Sequence, residues 1–351
     1  DEALAEKLDA QPLAPALAQL RKVRTKDQFT ALMGQAAVSP FTSILSLAPT
    51  IDQKAPTRYA VYGFTSGLGL PDRDYYLKPA FAPQKAKYEA YVAQMLTLIG
   101  WDKPAEHAKA VVEFETKLAD ASWSRVERRN TDKTYNPKTL AELQALTPGF
   151  DWKLFLPGTG LPKDLDRVVV TTDTAFPKYA AIYAETPLDT LKAWQAFNVA
   201  DGAAPYLSKR FVDAHWQFRS HELGGQPEQK PRWRRAVDFM DGAAGEAVGR
   251  AYVARYFPPE AKAKVQAMIA DIRGALRARI ETLDWMSAET RRTALEKLDK
   301  LTVKVGYPGK WRDYSGLEFR PDDLYGNAMR ANQFEWRRIV ARLKDPVDKG
   351  E

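Results

Sequence analysis

No cysteine stands among the 351 residues. That excludes a disulfide framework, a thiolate metal site and a cysteine nucleophile. It leaves the compartment open, because many exported bacterial proteins also lack cysteine. Histidine is nearly as scarce: His107, His215 and His221 are the whole supply. No apolar run approaches the roughly 18 residues that a membrane-spanning helix needs. Residues 91–101, among the longest, are interrupted by polar side chains. No repeat period or low-complexity tract is present. Charge of one sign is not segregated either. The 52 Lys and Arg are interspersed with 45 Asp and Glu, for a net +7. That reads as a solvated mixed surface and argues against a nucleic-acid partner. Asp1 stands first where a methionine would, and no signal-like apolar segment follows. The chain is therefore expected to be processed, or to be a piece of a longer one.

What is present is core-forming material. Apolar residues make up 45% of the chain, with 9 Trp, 15 Tyr and 15 Phe, enough to pack one large domain or two average ones. Helical spacing dominates. Helices are expected over residues 2–8, 12–21, 26–36, 84–99, 105–120, 140–146, 188–199, 205–221, 233–257 and 321–343. Another opens at Pro258-Pro259-Glu260, where proline and an acidic residue suit a helix start. Its stripe of Val265, Met268, Ile269, Ile272, Leu276, Ile280 and Leu283 reads as core, with Ile272 and Leu276 expected to be buried. Ser287 caps a following helix that turns Leu295, Leu298 and Leu301 inward and ends before Gly306 and Pro308. Strands are expected at 58–64 and 167–172, with a short third at 317–319. The turn-rich "GGQPEQKP" of residues 224–231 is the best soft boundary.

The motif that first draws attention is "SHELGG", residues 220–225. It opens like the zinc-peptidase signature His-Glu-x-x-His, which sets two imidazoles on one helix face with a glutamate as base. Gly225 stands where the second histidine belongs. His215 and His221 are six residues apart, about 120° around one helix. His221 and Glu222 therefore read as a helix end, where a cationic histidine is favourable. Gly67-Leu68-Gly69-Leu70 has Asp72 where a dinucleotide loop needs its third glycine, so a plain turn is expected. Thr65 and Ser66 do not make a Gly-x-Ser-x-Gly elbow. Asp72, Asp74, Asp238 and Asp241 are all candidate acid–base carboxylates, and spacing selects no pair. Arg232-Trp233-Arg234-Arg235 mixes cations with an aromatic as a nucleic-acid surface does. It reads better as a helix start with ion-paired arginines. The residues alone thus lead to a mainly helical protein without a complete catalytic constellation.

Four runs carry a resemblance. They are "GLGLPDRDYYL" (67–77), "WRRAVDFMDGAAGEAVGRAYVARYF" (233–257), "LDWMSAETRRTALEKLDKLTVKVGYP" (283–308), and "LYGNAMRA" (324–331) with "KDPVD" (344–348). In content, order and spacing they resemble the neprilysin and endothelin-converting-enzyme family of zinc metalloendopeptidases, which includes bacterial oligopeptidases. "RRNTDKTYNPKTLAELQAL" (128–146) fits as well, and the resemblance covers essentially the whole chain.

The resemblance implies a mainly α fold: a multi-helical cap domain with a few short strands, from a two-domain metallopeptidase that encloses a chamber. Residues 1–224 would be the mainly helical cap region. Residues 225–351 would continue the cap and link it towards a C-terminal catalytic domain of the same protein. In that family "SHELGG" lies just before the Trp-Arg-Arg helix and is not the zinc site. The His-Glu-x-x-His helix, the downstream glutamate ligand and the Asn-Ala motif follow a segment like Pro346-Val347-Asp348. They are expected beyond Glu351, and the family's Asn-Gly-Gly-Trp segment and its primed-side pocket residues before Asp1. No catalytic, cofactor-binding or metal residue of the family can therefore be placed on a position of this sequence. Zinc is expected in the complete enzyme and not in this chain. The implied activity is cleavage of short peptides on the amino side of bulky apolar residues, with this chain alone inactive. A different reading is a stand-alone helical protein that holds peptides without cutting them. Export to the periplasm or exterior of a bacterium is the expected localisation.

Overall fold

The computed structural model of the protein describes residues 2–349. The chain is mainly α, with one small sheet, and divides into two units. The first comprises residues 1–230 and 317–347, the second 231–316 and 348–351.

The first unit is built around the Leu188–Ala203 helix. Leu191, Trp194, Phe197, Ala193, Ala196 and Ala200 are all buried, so the middle of this helix is covered on every side, while Asp189 in its first turn is exposed. The Ala82–Leu98 and Pro104–Ala121 helices pack against it and against each other. Rings fill the space between them: Tyr88 and Tyr91 both meet Phe197 edge-on, and Phe114 meets Trp194 the same way. Such aromatic pairs add to the free energy of burial alone. The Leu324–Ala341 helix returns to this unit. There Gln333 donates to the Val38 carbonyl at 2.7 Å and Trp336 to the Thr159 carbonyl at 2.7 Å.

The sheet has four strands: β1 (Leu45–Ile51), β2 (Tyr59–Thr65), β3 (Asn136–Thr139) and β4 (Arg167–Val170). Their spatial order is β1-β2-β4-β3, with only β2 and β4 parallel. The central pair, β2 and β4, are the strands expected from the Val- and Tyr-rich patterns. The edges β1 and β3 were not expected. Each carries a proline, Pro49 and Pro137, which a sheet tolerates only at its margin. The turn after β1 is locked by Asp52. Its buried carboxylate accepts from Arg167 at 2.8 Å, Tyr135 at 2.9 Å and the Lys54 N–H at 3.0 Å.

Three expectations need correction in this unit. Residues 205–221 are not one helix. A 3-10 turn (Ala204–Tyr206) is followed by extended Leu207, an α-helix (Lys209–His215) and a π-helical stretch (Trp216–Glu222). Pro205 starts the first piece, and the break at Leu207 ends it. Four further helices were not expected: the one-turn Asp74–Leu77 and Arg125–Arg128, Trp152–Thr159, which carries Pro157 inside it, and Phe176–Glu185, which opens on Pro177. Residues 317–319 form no strand and pair with none among the described residues.

The second unit holds the Pro259–Thr282 and Ala288–Asp299 helices and a stretch, Arg232–Tyr256, expected as one helix but broken into two at Ala244, whose φ of −147° and ψ of 40° are not helical. Ser287 caps the Ala288–Asp299 helix, accepting from the Thr290 N–H at 3.1 Å. The Pro259–Thr282 helix packs on Ala288–Asp299, and Ile280 and Leu298 on them are buried. The rest of its apolar stripe is not core. Ile272 is 55% and Leu276 45% exposed, and Met268 and Leu301 are exposed too. The physical reason is the thinness of the unit. Among its described residues only Ala244, Ile280 and Leu298 are buried, so no second layer covers that face.

Candidate functional site

A bonded polar cluster of the first unit surrounds residues 66–73, the loop between β2 and the short Asp74–Leu77 helix. Gly67 adopts a φ of +97°, the left-handed region that glycine enters without penalty. Five of the loop's backbone groups are held from outside it. Ser66 N–H donates to the Ile44 carbonyl at 2.8 Å, and Trp194 donates to the Gly67 carbonyl at 3.3 Å. Gly69 N–H donates to Glu115 at 3.3 Å, and Leu70 N–H to the Tyr76 hydroxyl at 2.8 Å. Arg219 donates to the Gly69 carbonyl.

Glu115 lies in the middle of the Pro104–Ala121 helix and is wholly buried. Its carboxylate accepts from Tyr76 at 2.6 Å and Tyr88 at 3.1 Å, besides Gly69. Burial pushes its pKa up to about 7, against the opposing pull of these donors and the nearby Arg219 charge. Asp201 accepts from Arg219 at 2.6 and 3.2 Å and from the Tyr91 hydroxyl at 2.5 Å. The guanidinium also lies over the rings of Tyr88, Tyr91 and Phe218, 5.6–5.8 Å from their centres. Such placement suits the positive charge to the faces of the rings. The π-helical stretch presents Arg219 here, and stretches of that kind recur at functional sites.

On its other side the same loop walls a cavity of about 220 Å³, lined in part by Ser66, Leu68, Arg73, Trp123, Arg128 and Tyr179. Asp72 sits at its edge, buried, and accepts from Arg125 at 2.9 Å and Arg128 at 3.1 Å. Burial raises its pKa, but the Asp74 N–H and the two arginines outweigh that and hold the carboxyl below its ordinary value. A second cavity, about 400 Å³, is lined by Lys26, Asp27, Gln144, Asp151, Lys153 and Tyr183 among others.

The other residues singled out from the sequence are dispersed. Asp74 pairs with Lys78 at 2.7 Å and not with Asp72. Asp238 and Asp241 lie exposed on the Arg232–Tyr256 helix of the second unit. Arg232 to Arg235 form the first turn of that helix, with Arg234 stacked over an exposed Trp233 at 5.9 Å. Thr65 ends β2, and Ser66 donates to the Ser43 carbonyl at 2.5 Å. His215 ends the Lys209–His215 helix, and burial lowers its pKa. "SHELGG" is a helix end. Glu222 pairs with Lys87, and His221 contacts the Gln226 carbonyl at 3.0 Å. Gly225 turns the chain at a φ of +67°.

Zinc needs three or four nitrogen, oxygen or sulfur donors converging at about 2 Å. The His107 and His221 rings are engaged with backbone carbonyls. Among the described residues no group of three or more His, Asp or Glu is placed to hold a metal. The described residues offer no such donor set. No helix among the described residues is long and apolar enough to cross a membrane.

Sequence reasoning did not find the Glu115–Arg219 network. Glu115 gave one signal: it stands among Val111, Val112, Phe114 and Leu118, on the face that helical spacing turns inward.

Comparison with known proteins gives a consistent result. The family model described as "Peptidase family M13" matches residues 1–308. Endothelin-converting enzyme 1 of Bos taurus is 28% identical over 377 aligned residues, covering 100% of this chain and 49% of its own length. The crystal structure of the Mycobacterium tuberculosis zinc metalloprotease Zmp1 with an inhibitor superposes with a TM-score of 0.93 at 35% identity. That match covers 100% of this chain and 54% of that one. PepO from Lactobacillus rhamnosis superposes with a TM-score of 0.88 over 100% of this chain and 56% of that one; at 22% identity it speaks for the fold alone. The chain thus spans about half the length of the relatives it matches.

Proposed function

Because the chain belongs to peptidase family M13 and is its N-terminal portion, we propose that it forms the substrate-enclosing half of a zinc-dependent metalloendopeptidase. The carrying observation is the match of this whole chain to only about half of Zmp1 and of endothelin-converting enzyme 1. The zinc, the activated water and the general base of such an enzyme would come from the polypeptide that corresponds to the relatives' other half. Zinc supplies a Lewis acid and a nucleophilic water; the residues of this chain would enclose and orient the peptide.

The finer parts of the reading rest on the family resemblance. Residues 1–224 would serve as the cap. Residues 225–351 would continue the cap and link it towards the catalytic part. Short peptides would be the substrates, cut on the amino side of bulky apolar residues, and the protein would act after export from a bacterial cell. The exposed apolar stripe of Met268, Ile272 and Leu276 supports a face that another layer covers.

The test is a fluorogenic-peptide assay on this chain, on the complementary C-terminal polypeptide with zinc, and on their mixture or covalent union. Cleavage is expected only where both halves are present, and a chelator should abolish it. Chelator-resistant cleavage by this chain alone would overturn the assignment. A united chain that binds peptides and never cuts them would turn the reading into that of a binding protein.

A further inference from the structure

The cavity of about 220 Å³ beside the 66–73 loop has an unbalanced polar lining. Most of the side-chain donors around it are engaged within the protein. Ser66 donates to the Ser43 carbonyl at 2.5 Å and Ser122 to the Leu118 carbonyl at 2.9 Å. With its one proton so used, Ser122 accepts from the buried Tyr179 hydroxyl at 2.7 Å. The Trp123 indole donates to Thr174 at 2.7 Å. The two guanidiniums differ, because each carries five N–H groups. Arg128 uses one, on Asp72 at 3.1 Å. Arg73 uses two, on the Ala119 and Asp120 carbonyls at 3.1 and 3.3 Å. Both retain donors with no protein acceptor.

The acid in the lining, Asp72, is already satisfied. One of its oxygens accepts from the Asp74 N–H at 3.1 Å, the other from Arg125 and Arg128. Glu127 feels the charge of Arg73 but is exposed, lies outside the lining, and takes the Ser124 N–H and hydroxyl at 2.8 and 2.7 Å. Two cations against one carboxylate leave the lining net positive. Their field reaches the buried wall: burial raises the pKa of the Tyr179 phenol, while its hydrogen bonds and then the charges of Arg128 and Arg73 oppose that rise. The remaining wall, Leu68, Leu70, Pro71 and the Trp123 ring, is apolar.

The geometry points to this cavity as a binding site for a small carboxylate with a short apolar body. An ionised carboxylate brings acceptors only, and its two oxygens match the fork of a guanidinium. One negative charge balances the lining, whereas a phosphate dianion exceeds it. Pockets for drug-sized ligands run to roughly 300–1,000 Å³, so about 220 Å³ restricts the body to a short chain. That chain would lie along Leu68, Leu70 and the Trp123 ring, removing apolar surface from water on both sides.

Heteronuclear NMR of the 351-residue chain, titrated with sodium 3-methylbutanoate at low ionic strength, tests this. Saturable shifts are expected at the Trp123 indole N–H and at the Gly67, Leu68 and Leu70 amides, with a dissociation constant of about 10 mM or tighter. The uncharged 3-methylbutanamide and inorganic phosphate should each bind roughly tenfold more weakly. Arg128→Gln, at a side chain half exposed, should weaken binding about as much. Lys109→Gln, the same charge change at an exposed residue outside the cavity, should leave it unchanged. Absence of a saturable shift at these groups up to about 100 mM in the wild-type chain overturns the proposal, whether or not the variants fold. So does phosphate or the amide binding as tightly as the acid, or an Arg128→Gln effect no larger than that of Lys109→Gln.

Discussion

The backbone of Gly69 runs so close to Tyr88 that a Cβ placed on it would lie 1.8 Å from the phenol oxygen and 2.6 Å from the ring carbon that bears it. Tyr88 is wholly buried and cannot swing away, since Phe197 and Phe218 flank its ring at 5.7 and 5.6 Å. Gly69→Ala is therefore expected to cost about 1–3 kcal/mol by overpacking. Tyr88→Phe removes the obstructing oxygen at the expense of one hydrogen bond to Glu115. The double variant should be less destabilised than the sum of the two single ones. Urea midpoints of the four proteins check this, and strict additivity would show that the loop yields elsewhere.

Glu115 and Asp72 make opposite predictions with pH. Glu115 holds its proton up to about pH 7 in the native chain, whereas an unfolded chain releases it near 4.3. Stability from this group is thus fully present below about pH 4 and is lost progressively as the pH rises towards 7. Ionising it in the folded protein costs roughly 3 kcal/mol. Glu115→Gln removes that loss, so the melting temperature of the variant relative to wild type should rise steadily from about pH 5 to about pH 8. A constant difference would mean that Glu115 does not titrate there.

Asp72 is held charged by Arg125, Arg128 and the Asp74 N–H. Its pKa is depressed below the ordinary value, so its contribution is present above about pH 4 and disappears as the pH falls below that. The two arginines are largely exposed, which limits the energy involved. Asp72→Ala is expected to cost about 1–2 kcal/mol at neutral pH, chiefly from lost hydrogen bonds, and less at about pH 3. Chemical denaturation at the two pH values separates these cases.

Where local chemistry decides, the sequence was readable. The helix expected at residues 140–146 is Leu140–Leu146 in the structure, because Thr139 and Glu142 form a complete capping box. The Phe176–Glu185 helix was missed although both signals were there: Phe176, Tyr179, Ala180 and Tyr183 form an inward stripe, and Pro177 suits a helix start. The edge strands were hidden by Pro49 and Pro137, whose tolerance depends on having no neighbour on one side. Glu115 shows the deeper limit. Its buried position was implied by helical spacing, but its partners Gly69, Tyr76 and Tyr88 lie 46, 39 and 27 residues away. No local pattern reveals such a set.

Ile272 and Leu276 show the converse, a pattern correctly periodic whose burial depends on what lies opposite. In the 351-residue chain both side chains are about half exposed, while Ile280 on the same helix is buried. Ile272→Ala and Leu276→Ala should each stay within about 0.5 kcal/mol of wild type, as exposed sites do. Ile280→Ala should cost about 2 kcal/mol or more. In the longer polypeptide proposed above, the stripe is expected to be covered. There Ile272→Ala should become a core substitution costing roughly 2–5 kcal/mol. Denaturant midpoints of the same variants in the two contexts give the answer. A substitution that remains neutral in the longer polypeptide would mean that the Pro259–Thr282 helix keeps this face to solvent, and the layer over it would have to be sought in another partner.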